Sequence, residues 1–217
     1  MNPQNTEKRG VFLAFEGIDG SGKSTQIQRL AQRLAARGIP CCCTREPTDA
    51  PIGSLIHQIM TGRMEADHRV IASLFAADRL DHLLNKTDGI LQRLQEGMAV
   101  ITDRYYFSSY AYHSVDADMD WVIQTNSQSA SLLRPDRTIF LDMPVQTALE
   151  RIGVRGQHRE LFEREDRLTA VREKYFEAFA RQRELDQVVI LDASGDADSI
   201  ADSVWEAVRP LFDRQAK

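Results

Sequence analysis

The 217-residue chain contains only three cysteines, and they are consecutive: Cys41, Cys42 and Cys43. Adjacent thiols cannot supply the spaced pairs of a zinc site or the framework of a disulfide-stapled secreted domain, so they predict a buried strand in a reducing, cytoplasmic setting. No continuous apolar run is long enough to span a bilayer, and the polar first ten residues lack the apolar core of a signal peptide. Positive charge is also in deficit: 27 Lys and Arg stand against 32 Asp and Glu, a formal net charge of −5. That balance excludes the broad basic face needed to hold a nucleic-acid polymer and makes any positive patch local. Internal repeats, low-complexity tracts and linkers are absent. With 42% hydrophobic and 27% charged residues, positions 1–217 suffice for one compact catalytic domain.

What is present is an alternation. Short apolar, β-branched runs at 11–15, 39–44, 99–102, 138–141 and 188–191 are separated by amphipathic stretches at 26–37, 52–60, 68–95, 119–133, 145–152, 161–183 and 199–211. This pattern predicts an α/β fold: a five-stranded parallel sheet with helices on both faces, right-handed crossovers, and a ligand at the carboxyl ends of the strands.

Directly after the first run comes Gly17, Ile18, Asp19, Gly20, Ser21, Gly22, Lys23, Ser24 and Thr25. Set between a strand and a helix, such a loop turns successive backbone N–H groups around a polyphosphate. Lys23 can reach the outer phosphates, and the Ser24 hydroxyl can hold Mg2+. The positive end of the following helix adds to the attraction. The second run is followed by Thr44-Arg45-Glu46-Pro47-Thr48, and the third by Asp103-Arg104-Tyr105. Asp103 fits a carboxylate that holds magnesium directly or through water, and Arg104 could clamp a second phosphate; the same pair could also be an ordinary surface ion pair. Phe75 and Arg79, four apart on one helix, form a combination that can hold a flat polar base, although helical aromatics more often belong to a core. Segment 151–160, with Arg151, Arg155 and Arg159, reads as a basic lid over transferring phosphate or as a solvated loop. Cations gathered at one edge suit an acceptor that is itself a phosphate. A hydroxyl acceptor would need a positioned base instead.

Taken together, F-E-G-I-D-G-S-G-K-S-T-Q (15–26), T-R-E-P-T (44–48), L-F-A-A-D-R (74–79), D-R-Y-Y-F-S-S-Y-A-Y (103–112) and R-P-D-R-T-I-F-L-D (134–142) make the chain resemble bacterial and archaeal thymidylate kinases over most of its length. The resemblance implies a P-loop kinase fold, conversion of dTMP to dTDP with ATP and Mg2+, and a cytoplasmic homodimer. It implies that Phe75 stacks on thymine, Arg79 bonds a base carbonyl, Ser109 approaches the base edge and Tyr112 crowds out a ribose 2′-hydroxyl. Arg45 and Arg104 would hold the dTMP phosphate, Asp19 would lie near sugar and metal, and Glu46, Pro47 and Ser108 would complete the pocket. Ser24 and Asp103 would hold the metal. Because Gly20 stands where some relatives carry arginine, the catalytic set becomes Lys23, Arg104, Asp19 and the lid's Arg155. Two departures stand out: His113-Ser114 replaces the usual Gln-Gly, and His57 aligns with a frequent arginine. The competing readings are a kinase for another deoxynucleotide or deoxynucleoside, and a non-kinase ATP-binding switch.

Overall fold

The computed structural model describes residues 9–154 and 165–213. Among these, strands β1 (Phe12–Glu16), β2 (Cys41–Arg45), β3 (Ala99–Asp103), β4 (Arg137–Asp142) and β5 (Val188–Asp192) form one sheet in the order β2-β3-β1-β4-β5. All four pairings are parallel, as the alternating pattern requires. The register sets Phe15 beside Asp103 and Arg45 beside Asp103, so the first three strands end level with one another. The chemistry-bearing motifs that follow them therefore share one edge.

The helices are α1 (Lys23–Ala35), α2 (Pro51–Met60), α3 (His68–Leu84), α4 (Ile90–Gln95), α5 (Tyr106–His113), α6 (Met119–Thr125), α7 (Ser127–Leu132), α8 (Val145–Val154), α9 (Glu165–Gln182) and α10 (Ala197–Asp213). One face carries α1 against α10, joined by the Arg33–Asp202 pair at 2.8 Å and by Arg33 and Arg37 over the Trp205 ring. Helix α5 packs between α3 and α9. The central strand β1 is wholly buried, with Phe12, Leu13, Ala14 and Phe15 each at 0% exposure, as a doubly covered parallel strand should be. Helix α1 stops where expected: Gly38 takes φ 70°, and Ile39 N–H returns to the Leu34 carbonyl at 3.1 Å.

Three expectations need correction. Strand β2 is an edge strand with partly exposed side chains, and Cys43 is exposed, because only β3 pairs with it. The stretch 68–95 is two helices: the Asn85 side chain accepts from Thr87 N–H at 2.9 Å, and a Cβ at Gly89 would stand 2.3 Å from the Asn85 carbonyl oxygen. The stretch 119–133 likewise divides at Asn126, whose side-chain amide donates to Val122 O at 2.9 Å. Helix α5 was not expected from periodicity at all.

Candidate active site

The loop after β1 depends on its glycines. At Gly20, with φ 82°, a Cβ would lie 2.5 Å from the Ala148 carbonyl oxygen, so this backbone admits no side chain there. Lys23 is buried and donates to the carbonyls of Gly17 and Ile18 at 3.0 and 3.2 Å, which folds its ammonium across the loop mouth. Burial and the neighbouring Arg104 lower its pKa, and Asp103, Asp19 and Glu16 oppose the shift. The Ser24 hydroxyl donates to Asp103 Oδ2 at 2.9 Å, bringing a hydroxyl oxygen and a carboxylate together at the start of α1. Such a hard oxygen pair fits Mg2+, which takes one or two protein ligands together with substrate phosphates. Among the described residues no cluster of three or more His, Cys, Asp or Glu forms a protein-only metal cage.

Beside this loop lies a cavity of about 170 Å³, lined by Asp19, Arg45, Glu46, Pro47, His57, Met60, Phe75, Arg104, Ser108, Ser109, Tyr112 and His113. Helix α5 explains much of it, since residues 108, 109, 112 and 113 fall on one side of a helix and reach the cavity together. Helix α2 contributes His57 and Met60, three apart, and α3 contributes Phe75. The Phe75 and His113 rings lie 5.0 Å apart and tilted by 55°. His57 Nε2 is buried without a hydrogen-bond partner.

At the end of the cavity nearest the loop, Arg104 takes φ 74°, a backbone conformation uncommon for a residue with a side chain. Its guanidinium donates to Ser108 Oγ at 3.0 Å, to the Tyr112 hydroxyl at 3.1 Å, and to Asp19. Tyr112 donates in turn to Asp19 Oδ2 at 3.0 Å. Burial works to raise the Asp19 pKa, but Arg104 and Lys23 outweigh it and hold this carboxyl below its usual range. Beneath the triad, Glu16 is fully buried and accepts from Tyr105 N–H at 2.9 Å, Ser108 Oγ at 2.6 Å and the Tyr175 hydroxyl at 2.9 Å. Burial raises its pKa against those hydrogen bonds.

Arg79 lies behind this cavity. Its exposure is 1%, and it is absent from the lining. Four of its five N–H groups make hydrogen bonds: Nε to Glu46 at 2.7 Å, Nη1 to Ser109 Oγ at 3.1 Å and to Asn126 Oδ1, and Nη2 to Tyr105 O at 3.1 Å. Nη2 also stands 2.6 Å from Glu46. The expected bond from Arg79 to a base carbonyl would exchange one of these wall contacts for the base. Glu46 is further fixed by His82 Nδ1 at 3.1 Å, whose Nε2 meets Thr44 Oγ1 at 2.7 Å. Arg45 lines the cavity but pairs with Asp49 at 2.7 Å on the surface.

A second cavity of about 240 Å³ flanks the other side of the loop, bounded by Ser21, Gly22, Thr25, Gln26, Arg151, Gly195, Ala197 and Ile200. The Ser21 hydroxyl and Gln26 Oε1 are buried there without partners. Sequence reasoning placed Arg151 in the basic lid but missed Gln26, Met60 and the turn between β5 and α10; for the turn, the available signal was D-A-S-G immediately after a strand. Arg155 and most of the proposed lid lie outside the described residues. A larger cleft of about 720 Å³ runs along the β2 edge and shares Ser24, Arg45 and Asp103 with the site.

Comparison with known proteins gives a consistent result. A family model described as thymidylate kinase matches residues 15–204. A probable thymidylate kinase of Caldivirga maquilingensis is 39% identical over 210 residues, covering 95% of each chain. One of Pyrococcus horikoshii is 44% identical over 154 residues, covering 68% of this chain and 72% of its own. A thymidylate kinase of Symbiobacterium thermophilum is 36% identical over 212 residues, covering 94% and 95%.

Proposed function

The chain belongs to the thymidylate kinase family, and on that premise we propose that it transfers the γ-phosphoryl group of ATP to dTMP, giving dTDP and ADP. The observation that carries the reading is the pairing of two cavities across one phosphate loop, of about 170 and 240 Å³. A switch that only bound and hydrolysed ATP would have no use for the first of them.

In this reading ATP places its phosphates on the N–H groups of residues 17–25 and its base in the cavity beside Arg151. Lys23 leaves the loop carbonyls for the transferring phosphate. Ser24 and Asp103 are the residues that would hold Mg2+, which would offset phosphate charge when bound. The acceptor base lies against Phe75, its edge toward Ser109 and His113. Tyr112 lies where a 2′-hydroxyl would project, and Arg104, Arg45 and His57 take the acceptor phosphate. Asp19 and Tyr112 hold Arg104 in place beforehand, so little reorganisation is needed when the phosphate arrives. Arg155 of the lid supplies a further cation. The chief difficulty of the reaction is bringing two anions together, and buried cations meet it best where water is excluded.

The homodimer and the cytoplasmic setting belong to the same proposal. Val70 and Leu84, each about half exposed at 50% and 53%, lie on one side of α3 and suit a second copy of the chain. The three cysteines are free, which suits a reducing compartment, and no helix among the described residues is long and apolar enough to cross a membrane. The test is ADP release with dTMP, dUMP, dCMP, dGMP and thymidine in turn. Turnover with dTMP supports the proposal, whereas turnover with thymidine in preference to dTMP would overturn the phosphate-acceptor argument.

A further inference from the structure

Two carboxylates line the 170 Å³ cavity together with Arg45 and Arg104, and an anionic acceptor has to tolerate both. Asp19 is already bonded to Arg104 and Tyr112. Glu46 is held from behind, by α3. Its Oε2 accepts from Arg79 Nε at 2.7 Å, whereas its Oε1 has a single hydrogen-bond partner among the described residues, His82 Nδ1 at 3.1 Å. The His82 side chain is 8% exposed, and its Nε2 meets Thr44 Oγ1 at 2.7 Å. A carboxylate only accepts, so Nδ1 carries the proton; in the neutral ring the bare Nε2 then accepts from the Thr44 hydroxyl.

The backbone around Glu46 is fixed by other groups. Glu46 N–H donates to Asp103 O at 3.0 Å. Asp78, one turn before His82 on α3, accepts from Thr48 N–H at 2.8 Å and from Thr48 Oγ1 at 2.6 Å. His82 therefore governs the direction of the carboxylate rather than the path of the loop.

Resting on the reading of this cavity as the acceptor site, we infer that His82 is a positioning residue for the acceptor. Through the chain Thr44, His82, Glu46 it draws a negative charge toward α3 and away from the place that Arg45 and Arg104 offer to the acceptor phosphate. Without His82, Oε1 is a buried carboxylate oxygen with no donor, and it turns into the cavity for water, where its charge opposes an incoming phosphate. ATP escapes this effect, because none of residues 44–50 bounds the 240 Å³ cavity.

His82 and Thr44 also border the cleft of about 720 Å³ along β2, so an alanine would admit water in place of the imidazole. His82→Leu fills the space instead and removes both nitrogens. The test measures KM for dTMP, KM for ATP and kcat for the wild type, His82→Leu, His82→Gln and Thr44→Val. The expected result for His82→Leu is a KM for dTMP raised roughly 5- to 100-fold, the range that one lost partner of a buried carboxylate allows, with KM for ATP and kcat nearly unchanged. Glutamine, which keeps a donor and an acceptor, restores most of the loss, and Thr44→Val adds nothing further when combined with His82→Leu. A merely structural role would lower the folded fraction, and with it kcat, while leaving both KM values alone; that pattern, or equal rises in the two KM values, would overturn the inference. Should His82→Leu not fold, Thr44→Val decides in its place: a rise in KM for dTMP alone supports the inference, and an unchanged value overturns it. Failure of the wild type to use dTMP at all would instead remove the proposed function, a result distinct from dTMP turning over with a KM indifferent to His82.

Discussion

Replacing Arg79 by lysine separates two roles that its sequence context leaves open: reading a base, or holding a wall. In the structure the guanidinium bridges Glu46, Ser109, Asn126 and the Tyr105 carbonyl, all in a site where Arg79 is 1% exposed. Lysine has three donors at a single point and cannot span acceptors on four segments. It can keep the Glu46 ion pair, but at least two of the others lose their partner, at about 1–3 kcal/mol for each buried group left unsatisfied. A total of about 3–5 kcal/mol is also what breaking a buried charge network typically costs. For a chain of this size that corresponds to a fall in Tm of roughly 6–20 °C. The assay is a thermal melt of wild type and Arg79→Lys, alongside kcat/KM for dTMP and dCMP. The expected result is a large loss of stability with the ratio between the two bases nearly unchanged. A variant that melts with the wild type but loses discrimination between bases would refute the reasoning, since Arg79 would then be a reader of the substrate.

Other consequences follow from the same geometry. Lys23→Ala should lower kcat by about 100-fold or more with little change in the KM for dTMP, measured by steady-state ADP release, because the proposed function assigns its ammonium to the transferring phosphate. Phe75→Ala should raise the KM for dTMP roughly 5- to 150-fold, as loss of about 1–3 kcal/mol of stacking predicts, and leave that for ATP unchanged; equal shifts in both would contradict the division into two cavities. His113, depressed to about 3 in the folded chain against about 6.5 unfolded, leaves the unfolded chain holding the extra proton between those values. Stability should therefore fall as pH drops below about 6.5, by up to about 1.4 kcal/mol per unit, and urea melts at pH 7 and pH 5 should show a smaller loss for His113→Phe than for the wild type.

Much of this was legible in the sequence because parallel strands end at one edge. A charged motif that immediately follows a β-branched run must lie there, so residues 17–25, 44–48 and 103–104 could be gathered before any coordinates. Exposure of β2 was not legible, because a buried and an edge strand share the same composition, and only pairing with a single neighbour reveals the edge. Helix α5 was hidden because its aromatic and serine content carries no clear apolar stripe: nearly every residue is buried, on the sheet side or on the cavity side. The commitment of Arg79 depended on Asn126, 47 residues away and itself the break between α6 and α7. No local pattern announces such a partner. The residues around Gly195 escaped notice because the charges beside it, Asp192, Asp196 and Asp198, are all negative and carry no phosphate-binding signal.

The most direct measurement follows the label from γ-32P-ATP during incubation with dTMP and magnesium. The account predicts that it appears in dTDP at a rate that saturates in both nucleotides. Label released only as inorganic phosphate, at a rate indifferent to dTMP, would contradict it.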